Sequence, residues 1–122
     1  MSSSHQAAAA YRASQALDSR PAAALAAAHQ QLAVSFDAAL SAYQERALDE
    51  MCRHNERSIR ILIALTASVE GRSPEADRLA DMYRRLQMAL NRMPFDPREI
   101  ETIREGHKWL CDMSKSFRLH LH

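Results

Sequence analysis

The chain has 122 residues, 47% of them hydrophobic and 25% charged, with a formal net charge of +1. That length suits one domain with one core. The near-zero charge, with both signs interspersed, offers no strong field for nucleic acid, an anionic membrane or an acidic substrate. With two glycines, four prolines and abundant alanine, the composition predicts long helices joined by short loops rather than a sheet.

Residues 1–18 carry Tyr11, Leu17 and many small side chains and are expected to form an N-terminal arm, or a short helix that docks on the rest. The opening Met1-Ser2-Ser3-Ser4-His5-Gln6 lacks the basic start and apolar stretch of a signal peptide. No run of about 18 apolar residues is present. The expected location is the cytosol, without membrane insertion. Cys52 and Cys111 form no CxxC pair and fall inside helical patterns, so they are expected to be buried, reduced thiols.

From residue 19 to 122 the pattern predicts a four-helix bundle. The first helix opens near Ser19-Arg20-Pro21, a capping residue followed by a proline that a first turn tolerates. Its inner stripe is Leu25, Ala28, Leu32, Phe36, Ala39 and Tyr43. The same spacing continued past Tyr43 meets Arg46, Glu50, Arg53 and Arg57, all charged. The apolar stripe restarts instead at Leu48, then Met51 and Cys52, Asn55, Ile59, Leu62, Thr66 and Val69. The chain is therefore expected to turn near Gln44 to Ala47, although neither Gly nor Pro marks the place.

Gly71 suits the stop of the second helix, and Ser73-Pro74-Glu75 reads as cap, first position and early acid of the third. The third stripe is Leu79, Met82, Leu86, Leu90 and Met93, with Tyr83 beside it, and Pro94 ends it. Asp96-Pro97-Arg98-Glu99 is expected to open the fourth helix. Its stripe is Ile103, Gly106 or His107, Leu110, Ser114, Phe117 and Leu121. Short connections favour antiparallel neighbours, so the fold class is all-α, an up-down bundle.

Catalytic and metal spacings are missing. A di-metal site in a bundle needs inward Glu-x-x-His pairs, whereas Glu50 and His54 stand four apart and Glu105 and His107 two. His29 and His107 fall near the edges of their stripes, where a hydrogen-bonded boundary histidine is expected. The two glycines are far apart, so no phosphate loop exists. The chain is expected to have no enzymatic activity, no cofactor and no metal.

One helix has more apolar surface than a small bundle needs. Around Leu62, Ile61 and Ile63 lie about 100° to either side and Leu65 about 60° off, so Ile59 to Leu65 is apolar around most of its girth. On the fourth helix Trp109 flanks the stripe with Met113, and on the third Met88 points away from it. A central helix touching two neighbours accounts for such girth. So does a groove for an amphipathic partner helix.

Several segments in order resemble the flagellar secretion chaperone family, FliS. They are the early tyrosine of Ala10-Tyr11-Arg12, the opening Ser19-Arg20-Pro21, the segment Arg57-Ser58-Ile59-Arg60-Ile61-Leu62-Ile63-Ala64-Leu65, and Leu79-Ala80-Asp81-Met82-Tyr83-Arg84-Arg85-Leu86. The chain departs from the family pattern at Ala28-His29, where a Leu-Tyr pair is usual, and before the third helix, where a double glycine is usual.

The resemblance implies a cytosolic chaperone. Such a protein binds the disordered C-terminal helical segment of flagellin or a flagellin-like subunit, prevents premature polymerisation and delivers the subunit to the type III export apparatus. It places Tyr11 in an arm that occupies a client site and Tyr83 near the client. Periodicity adds Ile61, Leu65 and Trp109 to the expected partner surface, and Leu17 joins Tyr11 in the arm expected to shield it. The competing expectation is a non-catalytic module that uses the same surface to dimerise or to bind another flagellar or type III component. The free protein is expected to be a monomer or a weak homodimer.

Overall fold

The computed structural model describes residues 20–119. They form four helices, α1 (Arg20–Gln44), α2 (Leu48–Val69), α3 (Pro74–Arg92) and α4 (Glu99–Arg118), and no strand occurs among the described residues. The expected cap of the first helix at Ser19, the arm and Leu121 lie outside them.

Side-chain pairings give the direction of each neighbour. Pro21 at the start of α1 and Arg72 just past the end of α2 line the same groove. The Asn55 side-chain amide early in α2 donates to the carbonyl of Leu90 late in α3, at 3.3 Å. Gly106 in α4 faces Leu86 in α3, and Tyr83 meets Trp109. Ser114 late in α4 donates to the carbonyl of Ala26 early in α1, at 2.9 Å. Each helix is antiparallel to the next, and α4 returns to pack most closely on α1. This is the expected up-down four-helix bundle.

The α2–α3 connection follows visible signals. Gly71 has φ +82°, left-handed backbone that glycine adopts without a Cβ penalty. Its N–H donates to the Asp77 carboxylate at 2.7 Å, tying the loop to the first turn of α3. Ser73 caps α3 by accepting from the Ala76 N–H at 3.0 Å, with Pro74 in the first turn. Arg84 on α3 pairs with Glu70 at the end of α2.

The α1–α2 turn falls where the stripe breaks, but its chemistry was hidden. Arg46 takes φ 60°, the one left-handed non-glycine residue described. The Ala47 N–H donates to the Ala42 carbonyl at 2.8 Å and the Arg46 N–H to Tyr43 at 3.1 Å. That crossed pair is a Schellman stop, which normally carries glycine where Arg46 stands. An L side chain there costs about 1–2 kcal/mol, partly offset by the greater freedom of glycine in the unfolded chain. Arg46→Gly should therefore raise stability by about 0.5–1 kcal/mol in chemical denaturation. A loss would mean that the arginine side chain itself holds the turn.

The helix stripes hold in outline and shift in detail. Leu25, Leu32, Phe36, Ala39, Met51, Leu62, Val69, Leu79, Leu86, Leu90, Met93, Ile103, Leu110 and Phe117 form one core, whereas Ala28, Tyr43, Ile59 and Met82 are half-buried at its edge. Leu48 does not begin the second stripe. It is 55% exposed at the first position of α2, and the buried stripe begins at Met51, three residues on. Cys52 is exposed rather than buried, and Cys111 is half-buried. Helix α4 begins at Glu99, later than the Asp96-Pro97 signal implied. Asp96 instead closes a preceding turn, its carboxylate accepting from the Arg98 N–H at 3.0 Å and its carbonyl from the Glu99 N–H at 3.0 Å.

His29 is not at the core edge but fully buried. The α1 stripe runs Leu25, His29, Leu32, Phe36, which displaces Ala28 to the flank.

Candidate functional site: an apolar groove between α1 and α2

The seam between α1 and α2 opens into a groove of about 560 Å³. Small side chains create it. On α1 the outer positions carry Pro21, Ala24 and Ala28, three and four apart, and on α2 they carry Ala64 and Ser68. Two packed helices normally close such a seam with longer side chains. Here Leu25 and Leu65, both nearly buried, make the floor, Ile61 forms part of the wall, and Arg60 and Arg72 stand at the rim.

The seam continues toward the α1–α2 turn as a smaller recess of about 200 Å³ lined by Gln31, Val34, Ala38, His54 and Arg57 among others. Its wall is tied by Ser35, whose hydroxyl donates to the His54 carbonyl at 3.3 Å. Val34 is exposed beside it. The lining is mainly apolar at both ends, with glutamine, histidine and arginine side chains joining it toward the turn.

The expected partner residues separate into two groups. Ile61 and Leu65 come together in the groove. Tyr83 and Trp109 do not reach the surface: they are 0% and 3% exposed. Periodicity within one helix placed them on a flank, but α4 lies against both α1 and α3, and its flank is therefore interior. Tyr11 and Leu17 lie outside the described residues. Ile63 (54% exposed) and Met88 face solvent away from the groove, as does Phe95, at 87% the most exposed large apolar side chain described.

Tyr83 and Trp109 belong to an aromatic cluster around His29. The His29 ring stacks on Phe117 with centroids 5.5 Å apart and meets Trp109 edge-on at 5.9 Å. His29 Nδ1 donates to the Leu25 carbonyl at 2.5 Å, which leaves Nε2 as acceptor for the Tyr83 hydroxyl at 2.9 Å. This pattern is that of the neutral imidazole; a protonated ring would donate from both nitrogens. Burial pushes the His29 pKa down to about 4, against the opposing effect of the backbone hydrogen bond to Leu25. The cluster is structural glue with a titratable centre, enclosed on every side.

Among the described residues no three His, Cys, Asp or Glu side chains converge as a metal site. Cys111 Sγ lies 4.0 Å from His107 Nε2, on consecutive turns of α4. No described helix is long and apolar enough to cross a membrane.

The groove residues that sequence reasoning missed are Pro21, Ala24, Ala28 and Ala64. An alanine reads as a helix former, and only the pairing of two alanine faces turns it into a wall. The arrangement defines a class: a four-helix bundle with an open apolar seam between α1 and α2 among the described residues. No family model matches the chain, and no curated protein or solved structure matches it.

Proposed function

We propose that this bundle is a cytosolic export chaperone. In this reading it holds an amphipathic C-terminal helix of flagellin, or of a flagellin-like subunit, in the α1–α2 groove. The groove itself carries the reading. It is open, apolar on its floor and lined by two antiparallel helices, a shape suited to a third helix inserting its apolar stripe. The order of segments around Tyr11, Ile61 and Tyr83 supports flagellin as the guest.

The mechanism is coupled folding and binding. A disordered client segment gains order only if its buried side chains offset the entropy of becoming helical. Burying one large aliphatic side chain contributes about 1.5–3 kcal/mol. Several such side chains along the seam would hold the segment while leaving it releasable. With its apolar stripe covered, the subunit cannot polymerise before it reaches the type III export apparatus.

Calorimetric titration with a flagellin C-terminal peptide tests this. The expected result is 1:1 binding at micromolar concentration with a negative heat-capacity change. Ile61→Asp should weaken it at least tenfold, and Ala64→Trp, at an exposed position, should block the groove without loss of fold. No binding at tens of micromolar would overturn the reading. A tight dimer in light scattering, with the groove closed between two copies, would favour the dimerising module instead.

A further inference from the structure

The groove is charged on one side only. From Pro21 to Phe36, α1 has no Asp, Glu, Lys or Arg, and its outer positions are Ala, Gln and Val. The α2 side carries Arg57, Arg60 and Arg72 along the same seam. Between Glu56 and Glu70 the chain has no acid, and Glu70 is engaged by Arg84. Among the described residues none of the three arginines is in a salt bridge. The helix ends at the Pro21 end of the groove do not alter this balance. The positive start of α1 lies beside the negative end of α2, about half a charge each. The field over the seam is therefore set by guanidinium groups, which favour bidentate carboxylate partners.

We infer that the groove selects an amphipathic helix whose apolar stripe is flanked on one side by acidic residues, which meet Arg57, Arg60 and Arg72. The neutral α1 wall accepts uncharged or small residues on the other flank. Arg57 and Arg60 stand three residues apart on α2, and Arg72 lies just past its end. From Arg57 to Val69 the helix runs about 18 Å, so a ligand of about four to five turns can present acids to the Arg57–Arg60 pair and, at its other end, to Arg72. This rests on the groove being a helix site, and names the chemistry that fills it.

Two 18-residue helical peptides test it, with the same leucine and alanine stripe, one flanked on one side by glutamate and the other by lysine. Each is titrated into the full chain at low and high salt. Exposed ion pairs are individually weak, but attraction in one peptide opposes repulsion in the other. The glutamate peptide should bind roughly tenfold tighter at low salt, with the gap shrinking at 0.5 M salt. The Arg60→Glu/Arg72→Glu variant, altered at exposed positions, should keep its helicity and invert the preference.

Equal affinity for both peptides would overturn the inference, as would a preference unchanged in the variant or failure of both to bind. A concentration-dependent dimer that excludes both peptides would also overturn it. A flagellin peptide that binds the wild type and the charge-reversed variant equally would sink this inference and leave the chaperone reading standing. Binding of the glutamate peptide without any binding of flagellin would do the reverse.

Discussion

Acidification from pH 7.5 to 5 is expected to cost the folded state about 2 kcal/mol through His29, and about 3 kcal/mol by pH 4. The folded pKa of about 4 lies below the ordinary histidine value. Between the two values the unfolded chain binds a proton that the folded chain refuses. Stability is thus fully present above the ordinary pKa and falls as pH drops through this window. Protonation would also leave Nε2 a donor facing the Tyr83 hydroxyl, within an enclosure of Tyr83, Trp109 and Phe117 that supplies no anion.

The measurement is urea denaturation across pH, followed by the fluorescence of the single tryptophan, Trp109. His29→Phe, compared with the wild type, isolates the histidine because all other groups titrate in both proteins. The variant should lack the 2 kcal/mol loss between pH 7.5 and 5. Parallel curves for the two proteins would contradict the buried neutral imidazole.

Gly106→Val is expected to destabilise the bundle by about 2–3 kcal/mol, and to lower Tm by roughly 10 °C. A Cβ at Gly106 would already lie 2.7 Å from Leu86 Cδ2 and 3.2 Å from Phe36 Cε2. For alanine, a shift of Leu86 and the gain in helix propensity of about 1 kcal/mol could balance the clash. Valine adds two further carbons against a Phe36 ring that is fully buried and has no room to retreat. Thermal melts should show the loss. Leu86→Ala in the same chain should recover part of it, since the two positions share one space. Strict additivity of the two changes would mean that α4 does not approach α1 and α3 at this glycine.

These two sites show where sequence reading works and where it stops. Ser73-Pro74 and Gly71 act through backbone chemistry within a few residues, so their roles were visible. The turn at Arg46 was visible only as a break in periodicity, because its left-handed residue is an arginine. His29 was misplaced because alanine scores as more apolar, although a histidine with both nitrogens bonded packs as well as an aromatic. Tyr83 and Trp109 were misplaced because burial on a flank depends on which helix stands beside it. Half of the groove was legible in the excess girth at Ile61 and Leu65. The alanine wall of α1 was not, since a groove is a property of two helices together.

The most direct test of a helix-binding α1–α2 groove is an amide chemical-shift map of the labelled chain titrated with the flagellin C-terminal peptide. The account predicts perturbations clustered at Ala24–Ala28 and Arg60–Ser68, with the amides around Met88 and Phe95 unmoved. Perturbations centred on Met88 and Phe95, with the groove silent, would contradict it.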